Sequence, residues 1–372
     1  MPEVPSADEL AAVGAAHGLD ALGIAPATPF ASTRADLERR KAQGLHDGMG
    51  FTYLRPERST DPEAALAGAR ALVVAARSYL AHEPDRPAGP AGRVARYAWK
   101  DHYADLRAGL TAVARHLKAA GWRARVLADD NALVDREAAR RAGLGWYGRN
   151  ANLLLPGKGS WFVLGAVVTT APLAPAGTEA DDRCGTCTRC LDACPTGAIV
   201  APGVVDARRC LSWLLQRGGP FPREHRVALG DRIYGCDDCQ EVCPVNRRSP
   251  VGAAAGAGRA WADLSVLLDP DDAVTLSIAD RWYIPRREVR HVRRNALVVL
   301  GNVGDPRDPA VVDLVRRHLA HADPLLRSHA VWAARRLGLD HLLVAVAEDP
   351  DPAVRAELAG DVVARPTPVG VG

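Results

Sequence analysis

The chain has 372 residues, of which 48% are hydrophobic and 24% charged, the balance of a soluble globular protein with room for two or three domains. A net charge of +3 names no partner by itself. The longest apolar run, Trp161 to Val168, is too short to cross a bilayer and suits a buried strand.

In chain order, Met1 to Ala25 lacks the basic start and apolar core of a secretory leader and carries Glu3, Asp8 and Glu9. That counts against disulfides. Short β-like apolar runs follow at Ala69 to Ser78, Trp122 to Ala128 and Trp161 to Thr170. Between the first two, Leu106, Leu110, Val113 and Leu117 recur at helical spacing from about Tyr103, with Gly121 closing the helix. A second helix is expected to follow Asp129 and Asp130 and to run through Val134 and Ala138 to Gly143. The alternation predicts an α/β layer structure. Residues 82–92 read as a loop, and the Pro/Ala/Gly segment Ala171 to Gly177 as a linker.

All eight cysteines lie between Cys184 and Cys243. The first four, Cys184, Cys187, Cys190 and Cys194 before Pro195, have the C-x2-C-x2-C-x3-C-P spacing of a bacterial-type ferredoxin. In that motif three close thiolates hold one [4Fe–4S] cube and the fourth reaches the other cluster. The second half repeats it with its first cysteine displaced upstream: Cys210, then Cys236, Cys239 and Cys243 before Pro244. Crossing the fourth cysteines over assigns Cys184, Cys187, Cys190 and Cys243 to one cluster. Cys194, Cys210, Cys236 and Cys239 form the other, and none is left over. Disulfides would need an exported chain, and zinc normally shows two separated C-x2-C pairs. Reduced thiolates with iron–sulfur ligation predict a cytoplasmic protein.

A second linker is read at Gly252 to Gly258. Beyond it, Val292 to Gly301 is echoed by Leu326 to Gly338 and again by Asp351 to Gly360, with Asp-Pro ahead of the later copies. Such a period marks HEAT-like helical pairs, which more often dock a partner than do chemistry. The stretch Arg281 to Arg294 is densely basic around Trp282 and Tyr283. It reads equally as a phosphate- and base-binding surface or as a solvated helix face.

The resulting architecture has three parts. An α/β domain at 1–175 is followed by a ferredoxin-like double-cluster domain at 176–252 and a HEAT-like helical domain at 259–372. Clusters move single electrons, so the α/β domain should hold their acceptor. No G-x-G-x-x-G follows an expected strand, no P-loop is present, and the 11 histidines are scattered.

The run Asp129-Asp-Asn-Ala-Leu-Val-Asp135-Arg136 through Gly143-Leu-Gly-Trp146-Tyr-Gly148-Arg-Asn150 resembles a signature of the epoxyqueuosine reductases. Gly159-Ser160-Trp-Phe-Val-Leu164-Gly165, Gly92 to Ala98 and Tyr234 to Asn246 are similar to further segments of that family. The resemblance implies an oxidoreductase that reduces epoxyqueuosine to queuosine at the tRNA wobble position, with two [4Fe–4S] clusters and base-off cobalamin. It implies Asp129 as the acid that protonates the departing epoxide oxygen, with Asp130 better placed as a helix cap. It further implies cobalamin contacts at Arg58, Tyr97, Asn150, Ser160, Leu164, Ser212 and Asp237. tRNA contacts would come from Arg281, Arg286, Arg287, Arg290, Arg293 and Arg294. The partners it implies are epoxyqueuosine-bearing tRNA and an external low-potential electron donor, with no membrane and a monomeric chain.

Several positions depart from the family pattern. Ala132 stands for a usual proline, Arg149 for a lysine and Val245 for a tryptophan, the order of His102 and Tyr103 is exchanged, and the segment after Cys210 lacks its usual Thr and Glu. Two rivals share parts of this plan: a reductive dehalogenase-like cobalamin enzyme, and a non-catalytic iron–sulfur electron-transfer adaptor.

Overall fold

A computed structural model describes residues 2–175, 183–249 and 259–361. Contacts group the chain into two compact units. The first comprises residues 1–82, 100–210 and 237–255; the second comprises 83–99, 211–236 and 256–372.

The first unit is built on a four-stranded sheet: β1 (Ala21–Pro26), β2 (Ala71–Ser78), β3 (Ala124–Ala128) and β4 (Phe162–Thr169), in the order β1-β2-β4-β3 with every neighbour antiparallel. Leading into it, α1 (Ala7–Ala16) starts from a capping box in which Ser6 and Glu9 each bond the other's backbone N–H. The three expected strands are present within two residues of their limits. β1 is the addition, a short run with no strong alternation. Helix α2 (His102–Ala119) covers one face with its buried Leu106, Leu110, Val113 and Leu117. It comes so close to β4 that a Cβ at Gly165 would stand 2.7 Å from Leu110 and 2.9 Å from the Leu127 carbonyl. α3 (Asp135–Arg141) covers the other face, where Leu72, Val74, Leu127, Leu133, Ala138, Leu164 and Ala166 form one core cluster. Helices on both faces of the sheet are the layers that the alternation predicts.

The helix expected straight after Asp130 begins only at Asp135, with Val134 as its cap residue. Local side chains explain the delay. Asp130 Oδ1 accepts the Ala132 N–H at 2.8 Å and closes a turn, rather than capping a helix. Asp129 itself lies in the left-handed region, with φ 53°.

The second unit has a small sheet in which Ala91–Val94 pairs parallel with Arg232–Tyr234 and antiparallel with Trp261–Asp263. The loop expected at 82–92 therefore ends at residue 90. Gly92 lets the strands close up, since a Cβ there would meet Ile233 at 2.6 Å. The C-terminal segment is helical: α4 (Arg290–Val303), α5 (Pro309–Leu319), α6 (Pro324–Leu337) and α7 (Pro352–Ala359). The sequence echoes fall on α4, α6 and α7. The Asp-Pro pairs acquire a physical reason: Asp308, Asp323 and Asp351 cap α5, α6 and α7, each with proline at the first helical position.

Linker residues 176, 177 and 252–258, and the tail from residue 362, lie outside the described residues. No helix among the described residues is long and apolar enough to cross a membrane.

Candidate functional site

The antiparallel edge between β3 and β4 ends in a hollow lined by Leu127, Ala128, Asp129, Asp130, Leu133, Asp135, Leu164 and Ala166. Two of the residues singled out by the sequence, Asp129 and Leu164, meet here. Asp129 remains exposed as a whole residue, with its carboxyl at the rim of the hollow. Partial burial pushes that carboxyl above the usual carboxylate range; Arg107 pulls it down, and Asp130 and Asp101 push it up again. Burial also raises Asp135, against the pull of Arg136. The Tyr103 hydroxyl is held protonated, first by burial and then by the charges of Asp135 and Asp129. Asp135, Tyr103 and Arg107 were not singled out as site residues by sequence. Their signal was too weak, because only the fold brings α2 beside the loop that follows β3.

Four of the expected cofactor residues lie elsewhere in the first unit. Asn150 is buried; its Nδ2 donates to the Cys239 carbonyl at 3.1 Å and its Oδ1 accepts the Asn152 N–H. Ser160 is enclosed in a polar network. Its N–H donates to Asn246 Oδ1 at 2.7 Å, and its hydroxyl accepts from Asn246 Nδ2 at 2.9 Å and from Gln240 Nε2 at 3.0 Å. Gln240 Nε2 also reaches the buried Tyr79 hydroxyl at 3.1 Å. Gly159 makes this junction possible: φ is 75°, and a Cβ would fall 2.2 Å from Asn246 Oδ1. Asn150 and Ser160 thus join the sheet to the segment carrying Cys239 and Cys243. Asp237 is buried at the start of the Asp238–Glu241 turn, and Arg58 is exposed on the Pro56–Ser59 turn. In the second unit, Gln216 Nε2 donates to the Tyr97 hydroxyl at 3.5 Å and to the Ser212 carbonyl at 3.1 Å, which brings those two together.

All eight cysteines are half-buried and none forms a disulfide. Burial pushes the Cys190 thiol up, and Cys243, Cys184 and Cys187 add to that shift. Cys194 Sγ accepts the Ala198 N–H at 3.1 Å, and Arg149 donates to the Gly185 carbonyl beside Cys184. Partly shielded thiols, one of them accepting a backbone N–H, fit [4Fe–4S] ligation. Among the described residues, no three Cys, His, Asp or Glu side chains converge on a point that one metal ion could fill.

The basic stretch divides. Arg281, Arg286, Arg287 and Arg290 are exposed beside Tyr283, which is 58% exposed. Its neighbour Trp282 is buried and stacked on Tyr234, with centroids 4.7 Å apart. Arg293 and Arg294 are buried, which corrects their reading as tRNA contacts. Arg293 binds the Asp269 carbonyl and pairs with Asp272 at 2.7 Å. Arg294 is 0% exposed and donates to the carbonyls of Leu214, Arg217 and Gly219 and to Asn295 Oδ1. Both arginines are needed by the protein's own backbone.

These features define a double-cluster iron–sulfur protein. A family model described as a 4Fe-4S double cluster binding domain matches residues 183–246. The chain is 42% identical to the epoxyqueuosine reductase of Vibrio cholerae over 214 residues, which covers 56% of this chain and 57% of that protein. It is 32% identical to the Bacillus subtilis epoxyqueuosine reductase over 355 residues, covering 89% of this chain and 87% of that one. A crystal structure of epoxyqueuosine reductase with an epoxyqueuosine-modified tRNA-Tyr stem loop superposes with a TM-score of 0.85 at 30% identity, covering 94% of this chain and 96% of that one. The chain belongs to the epoxyqueuosine reductase family.

Proposed function

We propose that this chain reduces epoxyqueuosine in tRNA to queuosine, with Asp129 as the proton donor to the departing oxygen. The observation that carries the reading is the hollow where the Asp129 carboxyl, raised by partial burial, meets an apolar wall of Leu127, Leu133, Leu164 and Ala166. Converting an epoxide to an alkene consumes two electrons and two protons and releases the oxygen as water. An alkoxide is a poor leaving group, so a carboxyl kept protonated at the breaking C–O bond lowers the barrier. Bound substrate would displace water from the rim and raise Asp129 further.

The two cluster sets are Cys184, Cys187, Cys190 and Cys243, and Cys194, Cys210, Cys236 and Cys239. The lining of the hollow holds no imidazole or thiol that would compete for cobalt, which is compatible with cobalamin held base-off at its mouth. When bound, cobalamin supplies a metal centre that takes up electrons singly and engages the substrate. Leu164, Arg58, Tyr97, Ser212 and Asp237 would hold it. Asn150 and Ser160 would act through the junction that they brace. Arg281, Arg286 and Arg287 ahead of the HEAT-like helices α4–α7, with Arg290 at the start of α4, would meet tRNA phosphates in a cytoplasmic, monomeric enzyme fed by an external low-potential donor.

The test is nucleoside mass spectrometry on epoxyqueuosine-bearing tRNA incubated with anaerobically reconstituted protein and a low-potential reductant, with and without cobalamin. Loss of one oxygen only with cobalamin is expected. No conversion by protein that retains its iron would overturn the reading.

A further inference from the structure

The turn that carries Asp129 is not held by its own helix, since α3 starts six residues later. It is held by the segment 52–59, far upstream in the chain. The Thr52 N–H donates to Asn131 Oδ1 at 3.2 Å. The Thr52 carbonyl accepts the buried Ser59 hydroxyl at 3.0 Å, and the Ser59 carbonyl accepts the Val134 N–H at 2.9 Å. These bonds close a circuit around the turn, from Asn131 through Thr52 and Ser59 to Val134.

Both sides of the circuit carry backbone strain. Asp129 has φ 53°, and Thr52, a β-branched residue for which the left-handed region is a true outlier, has φ 58°. Such backbone is disfavoured and persists only where its surroundings over-determine it. At Thr52 the unusual backbone aims the N–H at Asn131. Asn131 is exposed, and among the described residues its side chain bonds only to Thr52, so fold stability alone gives little reason for an amide there.

We propose that Asn131 and Thr52 are positioning residues that latch the Asp129 turn in its working place against the 52–59 segment. The inference rests on the reading of Asp129 as the acid. Without the latch, the turn would relax out of the left-handed conformation, and the carboxyl would spend less time at the rim of the hollow. A bond of this kind is worth about 1 kcal/mol, or about a fivefold change in the ratio of latched to unlatched turn.

The experiment uses the full-length, cluster- and cobalamin-loaded protein in four forms: unchanged, Asn131→Ala, Asn131→Asp and Asp129→Asn. Amide hydrogen exchange at Thr52 is measured beside kcat and KM for modified tRNA. Asn131→Ala should speed Thr52 exchange and lower kcat by about fivefold each with KM unchanged. Asn131→Asp, which keeps the acceptor oxygen, should restore the protection and recover kcat. Unchanged Thr52 exchange in Asn131→Ala, or faster exchange with unchanged kcat, would overturn the latch while leaving Asp129 in place. An active Asp129→Asn would instead overturn the acid assignment, and the latch with it.

Discussion

The aspartates around residues 129–135 and the arginines around 281–294 are both dense clusters of one charge in the sequence, yet folding treats them oppositely. The aspartates stay together: Asp129, Asp130 and Asp135 line one hollow, and burial pushes the first and last of them toward the neutral form. The arginines are sorted. Arg286 and Arg287 stay exposed with φ 53° and 57°, Arg287 making only long bonds to the Asp280 and Trp282 carbonyls at 3.3 and 3.4 Å, whereas Arg293 and Arg294 are drawn inside to satisfy backbone carbonyls. A carboxyl can enter a partly dry site by taking up a proton. A guanidinium cannot shed its charge at neutral pH, so it is buried only where carbonyls or carboxylates surround it. Even at 0% exposure, with burial and neighbouring arginines lowering its pKa to about 9, Arg294 keeps its proton at pH 7.

The sharpest way to break the comparison is at the acid. Asp129→Asn should cut turnover by two to four orders of magnitude, on the order of what a positioned general acid contributes, with iron content and cluster absorbance unchanged. Asp130→Asn should cost far less, because that side chain is engaged in its own turn.

Arg294→Leu should fail through stability rather than turnover. It strips donors from the buried Leu214 carbonyl and the half-buried Arg217 and Gly219 carbonyls, so chemical denaturation should show a loss of about 3 kcal/mol. tRNA affinity of the protein that remains folded should be unchanged.

The pH profile sharpens the aspartate side. Because the Asp129 pKa is raised, its acid form survives above the ordinary carboxylate range, and kcat should fall as pH rises through that value. Arg107 pulls this pKa down, so Arg107→Gln should move the alkaline limb to higher pH.

The smallest effect belongs to the exposed arginines. Replacing Arg286 and Arg287 together by glutamine should leave stability nearly unchanged. It should reduce the slope of log affinity against log salt by about 1.4, since each phosphate of a single strand that an arginine neutralises adds about 0.7. An unchanged slope would remove this surface from the tRNA interface.

Much of this protein is legible in the order of its residues because the deciding interactions are short-range. The cysteine spacing, the apolar periods of α2, β2 and β4, and the Asp-Pro caps of α5, α6 and α7 are each settled within a few residues, where backbone geometry leaves few choices. What only the tertiary structure decided are the long-range matters: the junction of Ser160 with Asn246, the brace from Thr52 to Asn131, and the inward turn of Arg293 and Arg294. In each case a polar group found its partner tens of residues away. No local pattern signals such a partner, because the buried carbonyl or amide that needs it exists only once the chain has folded.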